Sequence, residues 1–526
     1  MAKVSAFARQ RSGTPLDKQR GGLGRVTSIP APVGGLNARD SIANMPPTDA
    51  ILMENWFPYP SYIQVRNGMT AYVTGFSSWV ESLMIYSGAS SRKMFAASGT
   101  AFYNATTAGA VGAAVQSGLT NARWESVNFG TSAGQYMYAC NAVDKPRLYD
   151  GTNWVAVDGV SVPAITGVTT TTLRSPAVWK SRIWFVQDGT MKAWYLPTSS
   201  IGGAAQSIDF GAEFKLGGYL QSIITMSIDN ASSLDDYIGF LSSEGELLVY
   251  RGTDPAVAGV FGIVGRYRLG RPIGRRCFFR YGADTIIICA DGFTPFSSLL
   301  MSNRDNLSKQ LSYKILNLVN SDVQSYSANF GWQGILYPIG NKIIINVPQV
   351  ENNTQYQYVM NTITGAWCKF TGWNACCFSE MGDNLFFGGS TAVYQCDTGD
   401  DDNGSYINSN VAPAYSYFGT RGTKLWTMIR PVFQTSRTLA ARITANTDFA
   451  TPALGLSDIT STGEGSTWDL APWDTSPWAV SDQVQRLWQS FPCTGFAVTP
   501  TISMSTKSIT AKLHSIDYVY EPGGIL

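Results

Sequence analysis

Histidine is almost missing from this chain: His514 is the one example in 526 residues. A Ser-His-Asp triad needs only one histidine, but no nucleophile elbow supports it here. His514 therefore reads as a structural residue in a strand pattern near the C-terminus. Charge is scarce as well. Asp, Glu, Lys and Arg make up 14% of the chain, against roughly 25% in an average soluble protein. The 38 basic and 37 acidic residues nearly cancel, leaving +1, which argues against a strong phosphate binder built on clustered Lys and Arg. No apolar run approaches the roughly 18 residues of a spanning helix, so no membrane span is expected. Met1 to Arg9 lacks the apolar core of a signal peptide, which predicts a protein kept in the cytosol until it assembles. The 8 cysteines form no CxxC pair, and Cys376 and Cys377 are adjacent; reduced, buried thiols are expected. Without a phosphate loop or metal-spaced ligands, we expect no catalytic residue, no cofactor and no bound metal.

What the chain does have is Gly (52 residues) and aromatics (12%), a balance suited to many short strands joined by tight turns. From about residue 78 a unit recurs: an apolar strand, a Gly- or Asn-containing turn, then a second strand. It begins at Lys93, Tyr136, Arg182, Tyr237, Thr285, Lys342 and Leu385, with successive starts 43 to 57 residues apart. Propeller blades repeat at about 40–50 residues with four strands each. A sandwich also gives strands every 8–12 residues or so, but has no reason for the larger period. The expected fold class is mainly β: a β-propeller of about six to seven blades, with an additional β-rich platform module from the N- and C-terminal segments. The count stays open because the last two repeats, across Asn341 to Gly399, read together as one blade.

Four regions follow. Residues 1–25 form a basic arm with Lys3, Arg9, Arg11, Lys18, Arg20 and Arg25 against Asp17; either a solubilising tail or a docking arm fits this composition. Residues 26–77 are an N-terminal lead-in and platform segment, 78–402 the propeller, and 403–526 a C-terminal β platform module. In that last region residues 414–419, 425–432 and 440–445 read as strands, and Ser461 to Asp482 as a long loop. Leu311, Ile315, Leu318 and Val319 follow a helical period, predicting a helix over 307–319.

Candidate sites are few. Asp397, Asp400, Asp401 and Asp402 precede Asn403-Gly404, but the alternation is imperfect and the distal Glu of a Ca²⁺ loop is missing, so a solvated turn is the preferred reading. Ser461-Thr462-Gly463-Glu464-Gly465-Ser466-Thr467-Trp468 looks like an Asp-box turn with Gly463 in place of Asp. Arg266, Arg268, Arg271, Arg275, Arg276 and Arg280, interleaved with Tyr267, Phe278 and Phe279, are the densest basic stretch. Basic-plus-aromatic is a single-strand-binding composition and equally an inter-subunit one; the interface reading is preferred, with the patch turned toward a neighbouring subunit.

Several stretches carry a family likeness. They are Pro32-Val33-Gly34-Gly35-Leu36-Asn37-Ala38-Arg39-Asp40 with Asn55-Trp56-Phe57-Pro58 and Arg66-Asn67-Gly68; Leu269-Gly270-Arg271-Pro272-Ile273-Gly274-Arg275-Arg276-Cys277 with Asp284 to Gly292; the run Lys342 to Asp400; and the ending Tyr518-Val519-Tyr520-Glu521-Pro522-Gly523-Gly524. In this order they resemble the tail nozzle proteins of short-tailed bacteriophages, also called tail tubular protein B or packaged-DNA stabilisation proteins. The resemblance implies a structural virion protein and not an enzyme. It implies a homohexamer below the portal and the head-to-tail adaptor ring, touching tail fibre or tip proteins and assembled in the host cytoplasm. Duplex DNA would pass through its channel without tight binding. The rival reading is a propeller-type glycan-binding or glycan-hydrolysing tail component.

Overall fold

Ile183, Trp184, Phe185 and Val186 follow one another in a single strand, and all four are buried. Alternate side chains of a strand point to opposite faces, so this strand is covered on both sides. Ile183 and Phe185 pack with Tyr138 and Leu148, while Trp184 and Val186 pack with Ile223 and Phe240. That is the condition of a strand inside a propeller blade, sandwiched between two neighbouring blades. It explains why the strands read as continuous apolar runs.

The computed structural model describes residues 24–230, 233–257, 259–301, 310–452, 460–462 and 482–523. Blades 1 to 4 are four-stranded antiparallel sheets. Their innermost strands are Val80–Ser87, Glu125–Thr131, Leu173–Trp179 and Leu220–Asn230. Among the described residues blade 5 has three strands, Phe278–Tyr281, Asp284–Cys289 and Gly292–Pro295, followed by a short helix, Phe296–Met301. Blade 6 runs from Gln333–Tyr337 to Trp367–Thr371. Blade 7 comprises Cys377–Met381, Asn384–Gly388 and Ala392–Cys396, and its fourth strand is Met69–Thr74 from the N-terminal side of the propeller. Each blade packs on the next, and blade 7 packs back on blade 1. The ring has seven blades, and its last sheet joins the two ends of the propeller. Each of the seven repeats marks the second strand of one blade. The last two repeats therefore belong to separate blades, and Asn341 to Gly399 is not a single blade.

The chain ends are interleaved. Arg25–Pro30 pairs with Ala511–Pro522, which pairs on its other side with Lys424–Thr435. In a second sheet Asp49–Glu54 pairs with Ile407–Pro413, then Val498–Lys507, then Arg442–Thr447. Asp49–Glu54 also meets the outer strand of blade 6, Glu54 opposite Lys369, so one sheet runs from propeller into platform. The C-terminal strands thus share their sheets with the N-terminal segment, and the two segments together build the β platform beside the propeller. Residues 414–419 are a loop following the strand Ile407–Pro413.

The helix lies further along than its pattern predicts. Residues 307–309 lie outside the described residues; Tyr313–Ile315 is a 3-10 turn and the α-helix is Leu316–Tyr326, burying Val319 and Val323. Phe296–Met301 is a second α-helix beyond the one expected. Among the described residues no helix is long and apolar enough to cross a membrane.

Candidate functional site: the platform junction and the arginine segment

The family-like motifs come together where propeller and platform meet. Arg66 is buried there with five donor contacts. Its guanidinium gives a two-pronged ion pair to Asp402 (Nη1–Oδ1 2.8 Å, Nη2–Oδ2 2.6 Å). It also donates to the Asn55 side chain at 2.9 Å and to the carbonyls of Asn67 and Thr371. The plane lies over the Trp373 ring, 4.9 Å from its centroid. One side chain therefore joins the N-terminal segment, blade 6 and the start of the C-terminal strands. Fork-to-fork geometry makes this pair stronger and more directional than a point charge. Gly68 follows because a Cβ there would overlap the Asp401 carbonyl oxygen.

The other N-terminal motif is a similar knot. Gly35 takes φ +79° with its open side against the Trp367 backbone, a conformation that favours glycine. Asn37 donates to both Asp40 and Asp49, at 2.8 and 2.7 Å, and Lys314 donates to Asp49 and to the Gly34 carbonyl at 3.0 Å each. Arg39 lies over the Tyr313 ring. These contacts hold the lead-in segment against the chain between blades 5 and 6.

The acidic loop is used up in the same junction. Asp397 takes both its bonds from the buried Lys342, at 2.6 Å each. Asp400 accepts from Thr510, Asp401 from Gly404 and Ser508, and Asp402 from Arg66. Each carboxylate has a protein donor, so the turn is structural and only partly solvated. Among the described residues no cluster of three or more His, Cys, Asp and Glu side chains could hold a metal ion. His514 Nε2 faces Gln434 Oε1 at 3.1 Å. Ser461 accepts from the Ala440 amide; Gly463 to Trp468, the remainder of the Asp-box-like run, lies outside the described residues, as does the arm up to residue 23.

The six arginines do not form one patch. Arg266 and Arg268 are exposed on the outer strand of blade 4, Arg266 paired with Glu213. Arg271 is exposed and pairs with Glu244 at 2.7 Å, and Arg280 donates to Thr225 at 3.0 Å. Arg275 and Arg276 turn inward to the propeller axis. Arg276 donates to the carbonyls of Glu81 and Trp124, to Ser82 Oγ at 2.6 Å and to Gln333 Oε1, tying blade 5 to blades 1, 2 and 6. Arg275 donates to the Asn141 carbonyl at 2.9 Å. The interface reading is thus confined to Arg266, Arg268, Arg271 and Arg280. Nothing in local sequence separates the two groups; Gly274 at φ +67°, which redirects the chain just before Arg275, is the only trace.

Residues outside the arginine segment also line the axis. Arg123 pairs with Glu81 and Glu351, and the Phe330 ring packs against both Arg123 and Arg276. Gly130-Thr131-Ser132-Ala133-Gly134 has the spelling of a nucleophile elbow, but it is the hairpin turn between the first two strands of blade 2. An elbow requires a strand-to-helix turn.

No family model and no curated protein matches this chain. Among solved structures it is similar to BBS1N, described as a crystal structure in complex with ARL6DN, soaked with mercury. The likeness has 9% identity and a TM-score of 0.37, over 63% of this chain and 97% of that one. A likeness of that size bears on neither function nor partners. The propeller stands on its own sheets and their cyclic packing.

Proposed function

We propose that this protein is a structural component of a short-tailed phage tail, the nozzle ring that extends the DNA-exit channel below the adaptor and helps retain and then release the genome. The observation that carries the reading is an apolar row across the outer face of the platform. Val26, Val519 and Met428 are register partners on three adjacent strands, and Val26 and Met428 are 64% and 38% exposed. Residues directly opposite each other on antiparallel strands share a face, and such a row suits a surface covered by another molecule. In a closed ring the contact is heterologous and repeats around the axis. Both ends of the chain build the platform, so a subunit presents this surface only when fully folded. The few charges and near-zero balance suit a conduit that surrounds DNA without gripping it. The propeller axis itself is no conduit: its cavity, about 320 Å³, is far too small for a duplex whose major groove alone is about 12 Å wide.

The test is electron microscopy of the purified protein, alone and with its adaptor, beside the variant Met428→Glu. Six-fold rings from the parent chain and dispersed, folded subunits from the variant are expected. Rings unaffected by Met428→Glu would remove the platform face from the interface.

A further inference from the structure

The axial cavity gathers two arginines and a carboxyl, of which Arg276 already ties blade 5 to its neighbours. It is walled by the innermost strands of six blades and lined by Glu125, Ser126, Ser175, Arg275, Arg276 and Gln333. At about 320 Å³ it holds roughly ten waters at about 30 Å³ each, or a small solute with some of them. Both arginines make only neutral contacts among the described residues: backbone carbonyls, one hydroxyl, one amide and an aromatic face. Neither is ion-paired to a carboxylate there, and both are only half-buried, so each keeps charge to offer a solute in the cavity. Arg275 also lines a second cavity of about 490 Å³, with Arg123, Gln221 and Phe330, so it stands between the two.

The wall is strained at the same place. Ser175 has φ +46°, although it precedes Pro176, a context that favours extended backbone. The strand pairing shifts register across it, and such bulges re-aim side chains near functional sites. Ser175 also bonds Ser222 Oγ at 2.9 Å. Burial raises the Glu125 carboxyl above the usual carboxylate range, opposed by Arg174, Arg275, Arg276 and the Ser175 amide.

We propose that this cavity binds a small oxyanion of the phosphate class, inorganic phosphate or a compact phosphate monoester, between Arg275 and Arg276 with Glu125 beside it. The Arg275 guanidinium can match phosphate oxygens two at a time, while Arg276, whose Nη2 is taken up by Glu81, Ser82 and Trp124, adds its charge and its remaining N–H groups. The carboxyl selects among anions. A phosphate near its second ionisation carries a proton at about pH 6–7, which it donates to the ionised form of Glu125 as one O–H···O⁻ bond. Sulfate and chloride bring no proton and face a carboxylate.

The experiment is thermal denaturation and calorimetric titration of the full chain with phosphate, glycerol phosphate, sulfate and chloride at matched ionic strength and pH 7. Phosphate should raise Tm in a saturable way, and sulfate and chloride much less; the monoester arm separates a free-phosphate site from one with room for a substituent. Arg275→Gln, which gives up one bond to a carbonyl, should weaken phosphate by about tenfold or more, the loss of a charged hydrogen bond. Arg271→Gln, on an exposed pair, should change nothing. Glu125→Gln supplies a fixed donor and should let sulfate bind about as well as phosphate. No saturable effect of phosphate, or an equal effect in Arg275→Gln, overturns the proposal; sulfate matching phosphate in the parent chain overturns the role of Glu125.

Discussion

Replacing Asp402 by Ala would leave the Arg66 guanidinium among Trp373, Phe370 and backbone carbonyls without its counter-charge. Breaking one half of a buried pair costs about 3–5 kcal/mol, so the urea midpoint should fall sharply. Removing Glu244 from the exposed Arg271 pair should cost about 0–1 kcal/mol. Equal losses at the two sites would show that burial does not set their value. The cysteines give a second expectation. Seven are buried and Cys493 is partly so; burial pushes Cys377 up to about 11 and Cys277 and Cys493 up to about 12. The thiolate is the reactive form, so an aromatic disulfide reagent at pH 8 should titrate almost none of the 8 thiols until urea is added. The sign for stability follows. Above the ordinary thiol value, about 8.5, the unfolded chain releases protons that the native state keeps, so stability should decline as pH rises toward 11. Arg66-Asn67-Gly68 was visible as a motif, but its role was not, because its partners lie at Thr371 and Asp402, more than three hundred residues along the chain.

At the scale of elements, the strand Met69–Thr74 closes blade 7 and is reached through Gly68, which lies against Asp401. Gly68→Ala should force that backbone apart at a cost of about 1–3 kcal/mol, the range for overpacking. Hydrogen exchange should show residues 69–74 and 392–396 losing protection together; loss confined to one strand would contradict their pairing. The repeat starts could be read because the second strand of each blade is covered on both faces and so spells a plain apolar run, whereas the count stayed at six to seven because the last two repeats read as one blade. Inner strands were less legible: Glu125–Thr131 alternates with polar residues that face the axis. The helix was displaced for a related reason. Leu311 and Ile315 are apolar because they pack as a turn in the main core beside the lead-in segment, and the helical period continues downstream through Val319 and Val323. The inward turn of Arg275 and Arg276 had no sequence signal apart from Gly274.

At the scale of the whole molecule, the structure provides a closed propeller fused to a platform made from both chain ends, with an apolar row facing outward. The ring, the virion role and the absence of catalysis rest on the proposed function and are open to direct test. Purified rings should bind duplex DNA only weakly, losing what binding they have as salt rises. Turnover of capsule, lipopolysaccharide or peptidoglycan that disappears on changing a single Asp or Glu would favour the glycan-directed reading. The most direct measurement is a single-particle reconstruction of the protein assembled with its adaptor. A six-fold ring is the expected result, with platform faces around Val26 and Met428 buried between subunits and a neutral to acidic lumen wide enough for duplex DNA. A particle without rotational symmetry, or a narrow pore lined by Arg266, Arg268, Arg271 and Arg280, would contradict it.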